Sequence, residues 1–328
     1  MKKQVTSYSG IGGQAVLEGV MMRNHEKYSV AVRRTDGRVA VDVEEYRGAS
    51  VGKIFRKIPF VRGIFVFVDS LTLGLRALNR STDYYEAETD DPQDKKSGSG
   101  TGDRILSAIV TIVSFAIAIA VFMLLPYFLA SFFKKYIASE GLVAVLEGVM
   151  RIAIFIAYIL LISLMKDIRR LFAYHGAEHK CINCIESGKP LTVENARNAT
   201  RLHKRCGSSF LIFVMLVSIV LFFFIRTDTL YLRLLLRILL IPVIAGISYE
   251  LIYLAGRTDF LLIRILSAPG LWLQRLTTKE PDDEMLEVGI AAVEAVFDWK
   301  RYLSDAFGIT VTEENTITAE PPVEEDLQ

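Results

Sequence analysis

Along residues 105–133 no charged side chain interrupts the apolar run, and a helix crossing a bilayer needs about 20 such residues. Residues 141–165 form a second run that carries Glu147 and Arg151. Residues 207–225 form a third without charge, and residues 230–255 a fourth that carries Arg233, Arg237 and Glu250. The pattern predicts a mainly α, polytopic membrane protein with about four transmembrane helices, the last two joined as a hairpin by a very short loop. Residues 59–79 are also largely apolar, but Arg62, Asp69 and Arg76 recur at roughly helical spacing, which predicts an amphipathic helix lying on the membrane. Residues 260–276 read as a second interfacial segment, broken at Pro269-Gly270, with Trp272 suited to the headgroup level.

Elsewhere the period changes. Residues 28–35 and 39–46 alternate apolar and polar positions around Asp36-Gly37, a pair that tolerates the positive φ of a tight turn, so a small N-terminal β-hairpin is expected. The glycine-rich residues 10–23 ahead of it lack the Gly-Lys-Ser/Thr ending and the preceding apolar strand of a phosphate loop. No apolar stretch follows Lys2 and Lys3, so no cleaved signal peptide is expected. Residues 86–103, acidic and then rich in glycine and serine, read as a flexible linker. Pro281 and the acids after it open a helix expected to reach about Leu303, since proline and acids favour a first turn. Five regions result: 1–85, cytoplasmic and interfacial with the hairpin and amphipathic helix; 86–103, the linker; 104–256, the membrane region; 257–310, interfacial and cytoplasmic helices; and 311–328, an acidic tail expected to be disordered.

Composition sharpens this picture. Hydrophobic residues make up 52% of the 328, and the mean hydropathy is +0.34, which points to a lipid bilayer as partner. A net charge of +1 gives no reason to expect nucleic acid. Basic residues gather at 166–208, including Lys166, Arg169, Arg170, Lys189, Arg197 and Arg205, whereas the other short connections carry Lys134 and Lys135, or Arg226. By the positive-inside rule the 166–208 connection is a cytoplasmic loop. Both termini then also face the cytoplasm of a multi-pass plasma-membrane protein. Glu147 and Arg151 lie at the same predicted depth as Arg233 and Arg237, so these groups should neutralise one another rather than form an ion path. Glu250 has no partner at its own depth and remains a site candidate.

The basic connection also holds the candidate chemistry. It reads His175-Gly176-Ala177-Glu178-His179 and later His203-Lys204-Arg205-Cys206. All three cysteines and three of the four histidines of the chain fall between His175 and Cys206, too few cysteines for a disulfide framework but a good donor set for a metal. If the segment is helical, His175 and His179 share one face and can reach one Zn²⁺ or similar divalent ion. The order His-x-x-Glu-His matches the inverzincin hydrolases, in which the glutamate is general base, so Glu178 is the catalytic candidate. The third ligand is expected to be His203, with Glu250 as second choice. A rival arrangement, Cys181-x2-Cys184 with His203-x2-Cys206, would close a structural Cys3His site. The bland alternative is a polar segment with no metal. Residues 144–150 repeat residues 15–21 identically, too short a match to establish a duplication.

Taken together, Gly12-Gly13-Gln14-Ala15-Val16-Leu17-Glu18-Gly19-Val20-Met21-Met22-Arg23, Tyr174 through Lys180, Thr192 through Arg197, His203 through Gly207, Ser248-Tyr249-Glu250 and Glu280-Pro281-Asp282-Asp283 resemble the YqhQ-like family of bacterial membrane proteins, which are predicted metal-dependent enzymes. The resemblance favours His175, Glu178, His179, His203, Cys206 and Glu250 as site residues and adds Glu18. Cys181 and Cys184 are less typical of that family, and Lys204 stands where proline is expected. The expected function is metal-dependent hydrolysis at the cytoplasmic face, with a membrane scaffold or assembly factor holding a structural metal as the alternative.

Overall fold

The computed structural model describes residues 7–48, 58–89, 101–225, 229–256 and 261–311. Most of the expected linker and the acidic tail beyond residue 311 lie outside them.

The alternating N-terminal segment forms an antiparallel meander in the order β1 (Gly12–Val16), β2 (Gly19–Asn24), β3 (Lys27–Arg33) and β4 (Val39–Glu45). The expected hairpin is β3–β4, closing with Arg33 opposite Val39 and Gly37 at φ +86°. The glycine-rich segment, read above without strands, supplies β1 and β2, which turn at Leu17-Glu18 with Glu18 at φ 49°. Glycine is a poor strand former in isolation, but crowding requires it here: a β-carbon on Gly19 would lie 2.2 Å from the Ala31 carbonyl oxygen. Alternation sends Val20, Met22 and Ala31 to one face and Met21, Val30 and Val32 to the other.

Helix α1 (Val61–Thr89) covers the second face with Leu73 and Ala77. It leaves Phe67, Val68, Leu71, Leu75 and Leu78 exposed, the apolar stripe expected of an interfacial helix. Helix α2 (Thr101–Ile119) passes through a π-helical turn at Ala120–Leu124 into α3 (Leu125–Ser131). Pro126 accounts for local irregularity, because it has no N–H for the carbonyl one turn before it. That carbonyl, Phe122 O, instead accepts from Arg151 Nε at 3.1 Å.

Helices α4 (Glu140–Ile162), α5 (Lys166–Glu186), α6 (Val193–Arg197), α7 (Gly207–Phe223) and α8 (Leu230–Ala255) follow. Three helical stretches among the described residues, Ile112–Ser131, α4 and Tyr231–Ala255, are long and apolar enough to cross a membrane. The fourth expected span is α7, a shorter apolar helix of 17 residues, at the lower edge of the spanning range. Helix α9 (Leu261–Thr277) runs through Pro269 where a break was expected, and Gly270 packs on Ser209 of α7, where a β-carbon would meet it at 2.8 Å. The last expected helix divides into α10 (Asp283–Val296) and α11 (Trp299–Phe307), because Phe297 is extended at φ −140° and Asp298 caps α11 by accepting from Arg301 N at 2.9 Å.

The connection expected to be a loop is mainly the 21-residue α5. Ala173, Ala177, Cys181 and Ile185 of α5, Leu286, Ile290 and Val293 of α10, and Val20 and Met22 of the sheet form one buried core. Sheet, α5 and α10 thus make a packed unit beside the apolar helices. Within α4 and α8, Glu147 accepts from Arg237 at 2.6 and 2.7 Å and from Arg151 at 2.8 Å.

Candidate metal centre

Residues four apart on α5 bring the His175 and His179 rings side by side, with centroids 4.4 Å apart. The Cys206 sulfur faces them from the N-terminus of α7, 3.1 Å from His175 Nε2. One donor atom from each of His175, His179 and Cys206 lies within 4.8 Å of the other two, and no other such trio of His, Cys or acidic side chains occurs among the described residues.

Backbone carbonyls orient both rings. His175 Nδ1 lies 2.9 Å from Thr277 O, and His179 Nδ1 lies 2.6 Å from Arg201 O. A carbonyl only accepts, so each Nδ1 carries the proton and each Nε2 presents a lone pair to the centre. The Thr277 carbonyl gets there because Gly176 lets the chain after α9 cross α5: a β-carbon at Gly176 would sit 2.0 Å from Lys279 O. The Arg201 carbonyl is held by other side chains of α5. Lys180 Nζ donates to Arg197 O and Ala199 O at 2.8 and 3.0 Å, and Asn183 Nδ2 donates to Thr200 O and Leu202 O at 2.6 and 3.1 Å.

Glu178 is 4% exposed. Burial pushes its carboxyl up, while the neighbouring His179 and His175 and a backbone hydrogen bond from Gly13 pull it the other way. Burial alone also raises a thiol, yet the two imidazoles hold Cys206 well below the ordinary thiol range. Burial lowers His175, and the Cys206 sulfur more than restores it, to about 9. Two buried polar atoms, His179 Nε2 and Glu178 Oε2, have no hydrogen-bond partner.

The other sequence candidates lie elsewhere. His203, 7% exposed, has its ring 5.5 Å from that of His179. Its Nε2 sits 3.2 Å from an Arg205 nitrogen and 3.8 Å from Glu186 Oε2. Its backbone is clasped by Gln274, which accepts from His203 N and donates to His203 O. Glu250 forms a bidentate ion pair with Arg62, the partner that span depth alone could not supply because Arg62 comes from α1, outside the expected spans. Glu18 pairs with Arg170 and Tyr174. Cys181 and Cys184 are free thiols in the core; burial raises both, Cys184 to about 12. The Cys3His arrangement is not assembled. Gly13 and Gly176 were missed as site residues; a glycine inside a helix, costly against alanine, was the available signal for Gly176.

The family described as "Protein of unknown function (DUF1385)" matches residues 58–299. The chain is 41% identical over 285 residues to "Uncharacterized protein YqhQ" of Bacillus subtilis (strain 168), an alignment covering 85% of this chain and 89% of that protein. No solved structure matches. With the family match extending over most of the chain and the relative aligned nearly end to end, this protein belongs to the DUF1385, YqhQ-like family.

Proposed function

We propose that the protein is a metal-dependent hydrolase whose centre lies at the cytoplasmic surface of the membrane, with Zn²⁺ held by His175 Nε2, His179 Nε2 and Cys206 Sγ. The supporting observation is the convergence of two carbonyl-oriented imidazoles and a low-pKa thiol on a buried spot where His179 Nε2 and Glu178 Oε2 lack partners. Buried polar atoms without partners are rare and call for an explanation; a cation would meet the need of His179 Nε2, and a water beside it that of Glu178 Oε2. Three protein donors are the number that catalytic zinc sites use, whereas structural sites use four.

Zinc, when bound, supplies Lewis acidity and brings the pKa of water down to about 7. Glu178 takes a proton from the attacking water and returns it to the leaving group. The Gly13 N–H keeps the carboxylate aimed inward. The carbonyls of Thr277 and Arg201 fix the proton on each Nδ1, so that neither imidazole swings out of position.

Elemental analysis of the purified protein and its variants tests the assignment. Wild type should carry about one zinc per chain, the stoichiometry of a single catalytic site. His175→Ala, His179→Ala and Cys206→Ser should lose most of it, and Co²⁺ added to wild type should produce a thiolate-to-cobalt absorption band that Cys206→Ser lacks. Glu178→Gln should keep the metal and lose turnover, because the amide preserves shape without accepting a proton. Full metal content in both histidine variants would exclude them as ligands.

The 3.1 Å contact between His175 Nε2 and Cys206 Sγ also suits a second reading, a thiol nucleophile with an imidazole partner. Iodoacetamide distinguishes the two. Zinc should shield Cys206 from alkylation if the sulfur is a ligand, and should leave its rate unchanged if it is not.

A further inference from the structure

A second ionisable cluster lies among the apolar helices and takes no part in the chemistry above. Glu147 of α4 accepts two hydrogen bonds from Arg237 of α8 and one from Arg151, a turn along its own helix. Arg151 uses its remaining donors on Phe122 O and Ser218 Oγ, at 3.1 Å each. Both guanidiniums lie over the Phe222 ring, 5.3 and 4.8 Å from its centroid. Glu147, Arg151 and Arg237 are 4%, 8% and 3% exposed. One carboxylate thus balances two buried cations, and excess charge in apolar surroundings is costly without a further counter-ion.

A cleft opens beside this network, lined among others by Tyr127, Lys134, Glu140, Arg233 and Arg237. Among the described residues the charged lining of the cleft is Lys134, Arg233 and Arg237 against Glu140 and Glu147, and Arg151, hydrogen-bonded to Glu147, adds a further positive charge to the cluster. The buried Arg237 Nε has no hydrogen-bond partner among the described residues. Of the lining residues, Lys134 lies in the turn between α3 and α4 and Glu140 opens α4.

We propose that this cleft binds a phosphate group, either on a lipid headgroup or as the free anion. The excess of positive charge matches a phosphate monoester. Guanidinium forks also fit phosphate oxygens in pairs. The apolar helices on either side would receive acyl chains if the phosphate is carried by a lipid.

Thermal unfolding of the detergent-solubilised full chain tests this with three additives: inorganic phosphate, dioctanoyl phosphatidic acid and dioctanoylglycerol. Ligands that bind the folded state raise Tm, so phosphatidic acid should raise it by several degrees and dioctanoylglycerol should not. A rise with inorganic phosphate as well identifies the anion alone as sufficient, and a rise with phosphatidic acid only identifies a lipid ligand. Arg233→Gln leaves the Glu147 hydrogen bonds in place and should weaken half-saturation about tenfold, the order expected for a lost charged hydrogen bond. A second variant, Arg237→Gln, leaves Glu147 paired with Arg151 and should lose the response without stranding a charge. No rise with either phosphate carrier, a rise with dioctanoylglycerol equal to that with phosphatidic acid, or an undiminished rise in both variants would overturn the proposal.

Discussion

A β-carbon on Gly13 would lie 2.6 Å from the Met21 carbonyl oxygen and 2.9 Å from Glu178 Cγ. Any larger residue must therefore push β1 away from α5, and with it the N–H that holds the Glu178 carboxylate. Overpacking of this kind typically costs about 1–3 kcal/mol. Gly13→Ala should lower the melting temperature accordingly, whereas Gly12→Ala should leave it unchanged, because nothing lies within 4 Å of a β-carbon there. Equal melting temperatures for the two variants would show that β1 does not bear on Glu178. At this scale the sequence displays donors better than supports. His175, Glu178 and His179 are recognisable from spacing alone, since three- and four-residue separations share a helical face. Cys206 joins them only because α7 begins against α5; from the sequence His203 comes first and Glu250 second as third ligand, with Cys206 favoured as a site residue only through the family resemblance. Burial among Arg205, Glu186 and Gln274 is what directs His203 elsewhere, and no local pattern reports that.

Between elements, the contact joining α4 to α8 is an ion pair in an apolar setting. Replacing Glu147 by glutamine leaves Arg151 and Arg237 facing each other with no carboxylate, and breaking a buried pair in this way costs about 3–5 kcal/mol. Glu147→Gln should thus unfold at clearly lower temperature or denaturant while keeping its metal. Loss of metal with stability intact would mean that the network serves the centre rather than the helix pair. The match of Glu147 with Arg237 was legible in advance, because charges at equal depth in neighbouring spans have few other partners. The pairing of Glu250 with Arg62 was not, since it depends on α1 lying against α8 after folding back from the sheet. Proline shows the same division. Pro269 was read as a break, yet α9 continues through it, while Pro126 lies beside a π-helical turn whose free carbonyl a distant arginine satisfies.

For the molecule as a whole, the basic residues concentrated at 166–208 give the expectation, by the positive-inside rule, that the sheet, α5, α10 and the centre face the cytoplasm. The native cysteines are buried, so they should react slowly and leave a low background for labelling. Single cysteines introduced at Lys135 and Thr227 should react with an impermeant maleimide in intact cells, and one at Lys189 should react only after permeabilisation. The reverse pattern would invert the topology and remove the centre from the cytoplasm. Composition and hydropathy by themselves determined that the chain is mainly helical with stretches long and apolar enough to cross a membrane, because the transfer of apolar surface is set by residue type and run length. They also determined where the histidines and cysteines are concentrated. Tertiary structure decided the rest, as the repeated segment Ala-Val-Leu-Glu-Gly-Val-Met makes plain. At residues 15–21 it runs from β1 through a turn into β2, and at residues 144–150 it is an unbroken part of α4. In the first copy β3 pairs with β2, and Arg170 from α5 takes Glu18. In the second Ile219 of α7 packs on Gly148 and Arg237 of α8 takes Glu147. Identical residues have identical propensities, worth at most about 1 kcal/mol each, and the partners that bury them outweigh that preference.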